Sequence, residues 1–130
     1  MAALNGNNTT QSDDPLVMLY VPCGSEAEAA IIATALLGER LVACANMYTS
    51  RSLYRWQGSI ADEQEFVLIC KTLASRADVA RQRIATLHSY EVPCVLEVIP
   101  AGANEAFYRW AAAELAARPD MVSATTGQDK

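Results

Sequence analysis

Short apolar runs alternate along the chain with segments whose apolar residues recur at helical spacing. The runs at residues 16–21, 41–47, 65–72 and 92–99 predict four β-strands, because each is short, apolar and bounded by turn-forming or polar residues. Three helical segments lie between or after them. Ser25, Ser75 and Asn104 stand where a helix-capping side chain is expected.

Both ends of the chain are polar and have little to bury. Residues 1–15 are therefore predicted to be a disordered N-terminal tail, and residues 119–130 a loose C-terminal tail that follows a helix stop at Pro119. What remains, residues 16–118, is long enough for one domain with its own core.

The second and third strands predict an unusually long hairpin. The second strand extends through Trp56 if its pattern is followed to the turn at Gln57-Gly58-Ser59. A strand of about 15 residues spans ~50 Å, well beyond the usual 5–6 residues. Such a hairpin extends beyond its own domain and leaves strand edges exposed. Another copy of the same chain is the simplest partner that would cover these edges.

The order of elements predicts an α+β fold. Strand, helix, strand, strand, helix, strand is the split βαβ, or ferredoxin-like, arrangement, with the helices on one face of an antiparallel sheet. Right-handed crossovers place the strands in the spatial order 4-1-3-2. The last helix is an addition at the C-terminus.

Composition narrows the class of protein. The apolar fraction is 52%, the charged fraction 19% and the net charge −5, which suits a globular protein and argues against nucleic acid as a partner. No apolar run approaches the roughly 18 residues of a membrane-spanning helix. The polar start is unlike a signal peptide, so we expect a cytoplasmic protein with reduced cysteines.

The same topology places soft metal ligands at one end of the sheet. Cys23 ends the first strand, Cys94 begins the fourth, and His88, the single histidine, ends the second helix at that end. Thiolate and imidazole suit Cu²⁺ and Zn²⁺, so these three residues are a candidate metal site with Glu91 as a fourth ligand. The alternative is that the cysteines are small core side chains.

Cys44 and Cys70 fall at the opposite end of the sheet and are predicted to be plain core residues. Chain-wide, the standard phosphate-binding loops and the G-x-S-x-G nucleophile elbow are missing from the sequence. A nucleophilic pair of His88 with Cys23 or Cys94 is the remaining catalytic option, without a clear oxyanion hole. We therefore predict a protein that is not an enzyme and has no organic cofactor.

Aromatic and charged residues cluster on the hairpin. Tyr54 and Trp56 share one face of the second strand, while Glu65 and Lys71 bracket the apolar third strand. These four residues either line a pocket or, as the aromatic residues favour, form a protein interface.

Five blocks of this sequence resemble the CutA divalent-cation tolerance proteins. In order along the chain they are RLVACAN at 40–46, SLYRWQG at 52–58, LICKT at 68–72, HSYEVP at 88–93 and FYRW at 107–110. Agreement of several separate blocks in order is far more specific than one short motif.

The resemblance implies a ferredoxin-like fold, a homotrimer whose long hairpins pair between subunits, and tolerance of divalent cations, copper in particular, without established catalysis. His88 matches the histidine of the family's H-P-Y-x-x-P motif, although Ser89 stands where the motif has proline. The resemblance also implies that Tyr54, Trp56, Glu65 and Lys71 line a cleft between subunits. Cu²⁺ or another divalent cation is thus the expected ligand.

Overall fold

A computed structural model describes residues 9–118, which form four β-strands and three α-helices. In chain order the elements are β1 (Leu16–Cys23), α1 (Glu26–Gly38), β2 (Cys44–Trp56), β3 (Ser59–Leu73), α2 (Ala74–Leu87), β4 (Leu96–Val98) and α3 (Glu105–Ala116). The strands form one antiparallel sheet in the order β2-β3-β1-β4. This is the predicted order read from the other edge, so the predicted fold class is confirmed.

The long hairpin is also present. β2 has 13 residues and β3 has 15, and they pair from Cys44 opposite Lys71 to Trp56 opposite Ser59. Gln57 and Gly58 join them with positive φ angles of 50° and 83°, the two-residue turn that matches the twist of paired strands. β1 pairs with β3 only from residue 66 onwards, so within residues 9–118 the outer half of the hairpin pairs only with itself.

The two faces of the sheet carry separate cores. On one face, side chains of β1 and β3 pack against α1 and α2, as predicted; they include Leu19, Val21, Leu68 and Cys70. Alternation along the strands sends Leu16 and Leu73 to the opposite face, where α3 covers one end of the sheet. Within the described part of the chain, no helix covers the other end of that face, beside the hairpin. No helix within residues 9–118 is long and apolar enough to cross a membrane.

Two local predictions are wrong. β4 spans only Leu96–Val98 instead of residues 92–99, and it pairs with β1 over three residues. Pro93 has no N–H for a ladder and the preceding residues form a loop, which explains the shorter strand. Ser75 does not cap α2, because the helix begins one residue earlier, at Ala74.

The cap of α2 comes from the segment that was predicted to be disordered. The Asp14 carboxylate accepts hydrogen bonds from the Ser75 N–H at 2.9 Å and the Ser75 hydroxyl at 2.6 Å. The buried Tyr108 hydroxyl donates to the carbonyls of Thr10 and Asp14, at 2.9 and 2.7 Å.

The tail prediction is therefore wrong for residues 9–15. These residues bury little apolar surface, but their polar groups accept hydrogen bonds from Ser75 of α2 and Tyr108 of α3. Residues 1–8 of that predicted tail, the stop at Pro119 and the tail at residues 119–130 lie outside the described residues. Of the other predicted caps, Ser25 accepts the Glu28 N–H at 3.1 Å, whereas Asn104 makes no capping side-chain bond.

Candidate functional site

A cavity of about 760 Å³ occupies the open end of the sheet, on the face opposite α1 and α2. Its walls come from β1, β2, β3 and the loop between α2 and β4. Tyr54, Trp56 and Glu65, three of the four residues predicted to form a cleft, line it together. Tyr54 and Trp56 are two residues apart on β2 and so share a face of the sheet, and Glu65 is on the same face because it lies opposite Ser50 of that strand.

Lys71, the fourth predicted cleft residue, lies elsewhere. It shares a strand face with Glu65 but is six residues further along β3, a separation of roughly 20 Å. Its ammonium nitrogen lies 5.7 Å from the centre of the Phe107 ring on α3. Lys71 therefore does not join the other three within one chain, and the predicted cleft between subunits, which includes Lys71, stays a prediction.

Two tyrosine–glutamate pairs shape the cavity wall. The Tyr90 hydroxyl donates to Oε2 of Glu65 at 2.7 Å, and the Tyr54 hydroxyl donates to Oε1 of Glu63 at 2.5 Å. Glu65 is only 5% exposed. Burial, followed by the bond to Glu65, raises the pKa of Tyr90, and the bond to Glu63 raises the pKa of Tyr54 to about 12. Both phenols therefore stay protonated donors at neutral pH.

The His88 ring fixes the loop that carries Tyr90. Its Nε2–H donates to the Pro22 carbonyl oxygen at 2.8 Å, and its Nδ1 accepts the Tyr90 N–H at 3.1 Å. The same ring meets the Tyr90 ring edge-on, with centroids 4.6 Å apart. The imidazole is buried, and both of its nitrogens are engaged in holding the loop against β1.

Glu28 is a second anchor of this loop. Its carboxylate accepts the Ser89 N–H at 2.6 Å and the Gly24 N–H at 3.1 Å. Burial raises the pKa of Glu28, but the hydrogen bonds from Ser89 and Gly24 outweigh it and leave the pKa below its usual value. A proline at position 89, as in the family motif, could not donate this bond.

The residues of the predicted metal site do not fit a metal ion as this chain arranges them. His88 has no free nitrogen, and the Cys23 thiol is buried and donates to the Val21 carbonyl at 3.6 Å. Burial raises the pKa of Cys23 to about 12, which disfavours the thiolate that a metal requires. Cys94 and Glu91 are exposed and line the cavity instead.

Taken together, residues 9–118 contain no group of three or more His, Cys, Asp or Glu side chains placed to hold a metal. The two other cysteines differ in their burial. Cys70 lies in the core beneath α1 and α2, whereas Cys44 is partly exposed. Sequence reasoning missed Glu63 and Tyr90 as cavity residues. The period of two on β3 could have found Glu63, because it shares a face with Glu65.

Comparison with known proteins places this arrangement in a family. Residues 17–114 match the family described as CutA1 divalent ion tolerance protein. The divalent-cation tolerance protein CutA of Thermus thermophilus is 37% identical over 98 residues, which cover 75% of this chain and 93% of that protein. The CutA protein of Pyrococcus horikoshii is 32% identical over 95 residues, covering 73% of this chain and 93% of that protein.

Solved structures agree. The divalent ion tolerance protein CutA1 of Ehrlichia chaffeensis superposes with a TM-score of 0.76 at 29% identity, covering 78% of this chain and 96% of that one. The protein described as periplasmic divalent cation tolerance protein CutA, from Archaeoglobus fulgidus, gives 0.75 at 29% identity, covering 77% and 98%. With its sheet order, long hairpin and matched residues, the chain belongs to the CutA1 divalent ion tolerance protein family.

Proposed function

We propose that the protein serves in divalent-cation tolerance as a homotrimeric binding protein without catalysis. The observation that carries the proposal is the outer half of the β2–β3 hairpin. Among the residues that the structure describes it pairs only with itself, and it exposes large apolar side chains at Leu53, Trp56 and Ile60. Exposed apolar strands of this length favour cover by another chain.

Assembly has a direct test with a matched control. Three chains of 14.0 kDa give a particle of about 42 kDa, which light scattering after size exclusion would measure. Ile60→Asp on the hairpin should lower this mass. Ile31→Asp on α1 is the matched control because both residues are 63% exposed, and it should leave the mass unchanged because it lies outside the hairpin. A monomeric wild-type mass at micromolar concentration would contradict the trimer.

Direct binding of Cu²⁺ is the second part of the proposal. Because residues 9–118 of one chain do not gather three ligands, we propose that the ion uses donors from more than one subunit, with Cys94 as the accessible thiol of the predicted set. Titration calorimetry should then show Cu²⁺ binding that Cys94→Ser weakens and Cys44→Ser leaves unchanged. Equal binding by both variants would remove Cys94 from the site.

The absence of catalysis is proposed on the chemistry of the same residues. The His88 nitrogens both make structural hydrogen bonds, and burial raises the pKa of Cys23 to about 12. Neither group is poised as a base or nucleophile. Turnover of any ester or amide substrate that Cys94→Ser abolishes would contradict this part.

A cytoplasmic location is proposed because the four cysteines, which all lie among the described residues, form no disulfide there, as is usual in a reducing compartment. Cell fractionation should recover the protein with a cytoplasmic marker, and recovery with a periplasmic marker would contradict the proposal.

A second candidate function is that the trimer is a structural or regulatory protein that takes a small molecule or a protein partner in the cavity. The cavity itself favours this, since it is formed within one chain and its walls are fixed by His88 and Glu28. A ligand-dependent rise in melting temperature that persists in Cys94→Ser and without Cu²⁺ would support it.

A further inference from the structure

We propose that the cavity binds a primary ammonium group carried on an alkyl chain. The inference names the ligand class for the small-molecule role of the cavity, and it rests on that proposed role. Three features carry it: the hydrogen-bonding groups that the wall presents, the charge of the wall, and its aromatic side chains.

The wall of the cavity presents hydrogen-bond acceptors to a ligand, because two tyrosine hydroxyls in it already donate their protons to neighbouring carboxylates. Tyr54 and Tyr90 already give their protons to Glu63 and Glu65. Among residues 9–118, none donates a hydrogen bond to Oε1 of Glu65, although the side chain is 95% buried and lines the cavity. Because this oxygen is not among the fully buried unpartnered atoms of the described residues, it opens onto the cavity and can accept a hydrogen bond from a ligand, for which an ammonium group is the strongest donor.

The charge of the cavity selects a cation. Three carboxylates, those of Glu63, Glu65 and Glu91, line it. Of the described residues that line it, Arg51 alone is basic, and its guanidinium is bound at 2.9 and 2.7 Å to both oxygens of Asp62. The field inside the cavity is therefore negative, and phosphate or carboxylate ligands are disfavoured.

Aromatic residues select an organic cation over a metal ion. Tyr20, Tyr54, Trp56 and Tyr90 all line the cavity, and rings of this kind attract ammonium groups and cover alkyl chains. A bare divalent ion requires several oxygen or nitrogen ligands at close range, which the described residues do not gather. At about 760 Å³ the cavity is large enough for a small organic molecule.

The test is titration calorimetry of the assembled full-length protein with 1,4-diaminobutane at constant ionic strength. The matched probe is the fully N-methylated analogue of this diamine, which has the same charge and chain but no N–H donor. We expect saturable binding of the diamine and binding of the methylated probe that is about tenfold weaker. Equal affinity for the two probes, or no saturable binding of the diamine, would overturn the inference.

Variants locate the binding. Glu65→Gln removes the buried charge while keeping an acceptor for Tyr90, and should weaken the diamine about tenfold. Glu63 is exposed, so Glu63→Gln should also lower the affinity for the diamine but should not affect folding. Asp78→Asn removes one equally negative charge from the exposed start of α2 and should have no effect. Equal weakening by Glu65→Gln and Asp78→Asn would overturn the site.

The outcome separates this inference from the proposal beneath it. Scattering mass and Cu²⁺ titration are measured on the same samples. A flat diamine titration with a mass of about 42 kDa rejects the amine alone. A monomeric mass rejects the assembly, whatever the diamine does.

Discussion

Replacing His88 by alanine separates a structural role for this residue from a metal-binding one. The His88 ring is buried, donates to the Pro22 carbonyl and accepts the Tyr90 N–H. The substitution removes both bonds and leaves the Pro22 oxygen and the Tyr90 nitrogen without their partner. The loop would then lose the contact that fixes it to β1.

The expected cost follows from these contacts. Each hydrogen bond contributes about 0.5–1.5 kcal/mol net, and the vacated ring volume adds about 1–2 kcal/mol. We therefore expect the free energy of unfolding to fall by about 2–5 kcal/mol, a large part of the 5–15 kcal/mol typical of a domain. His88→Gln keeps a donor for the Pro22 carbonyl and should lose about half as much.

The assay is guanidinium unfolding of wild type, His88→Ala and His88→Gln at one protein concentration, each with excess EDTA and again with Cu²⁺. Equal protein concentrations matter because assembly stabilises the folded chain. If His88 has a structural role, the whole expected decrease in the free energy of unfolding of His88→Ala should already be seen in EDTA. If His88→Ala matches wild type in EDTA and differs only with Cu²⁺, the reasoning is refuted and His88 acts through the metal.

Three further predictions concern the neighbouring groups. Tyr108→Phe should lower the free energy of unfolding by about 1–3 kcal/mol in denaturant titration, because two backbone carbonyls lose their donor; an unchanged midpoint would contradict this. The pKa of Glu28 is lowered in the folded state, so its stabilising contribution is complete above the unfolded value near 4.5 and is lost as pH falls through the folded value. The stability gap between wild type and Glu28→Gln should therefore be full at pH 7 and close in acid; a gap independent of pH would refute it. A thiol reagent at pH 8 should modify exposed Cys94 well before Cys23, whose pKa is raised to about 12 by burial, and equal rates by peptide mass spectrometry would contradict that.

Local periodicity and chain order were sufficient to predict most of the fold. The alternation around Tyr54 and the turn at Gly58 gave the long hairpin, and the handedness of the crossovers gave the sheet order. Both depend on residues close in sequence or on general chirality. The cap of α2 was missed because Asp14 approaches Ser75 across 61 residues, a pairing that no local pattern encodes.

The candidate site was predicted less well, for related reasons. Periodicity places Glu65 and Lys71 on one face but carries no information on how far along the strand a cavity extends. The identity of His88 indicates an imidazole, yet its partners are the Pro22 carbonyl and the Tyr90 N–H. Backbone groups of this kind are present at every position, so the sequence does not mark which of them a side chain will find.

Residues 9–15 have a practical consequence for where the chain can be cut. The match to the CutA1 family begins at residue 17, so trimming to the shared boundary deletes Asp14 and the Thr10 carbonyl. The start of α2 and the hydroxyl of Tyr108 would both lose their partners. A fusion joined ahead of Thr9 keeps these bonds, and one joined directly to β1 forfeits them.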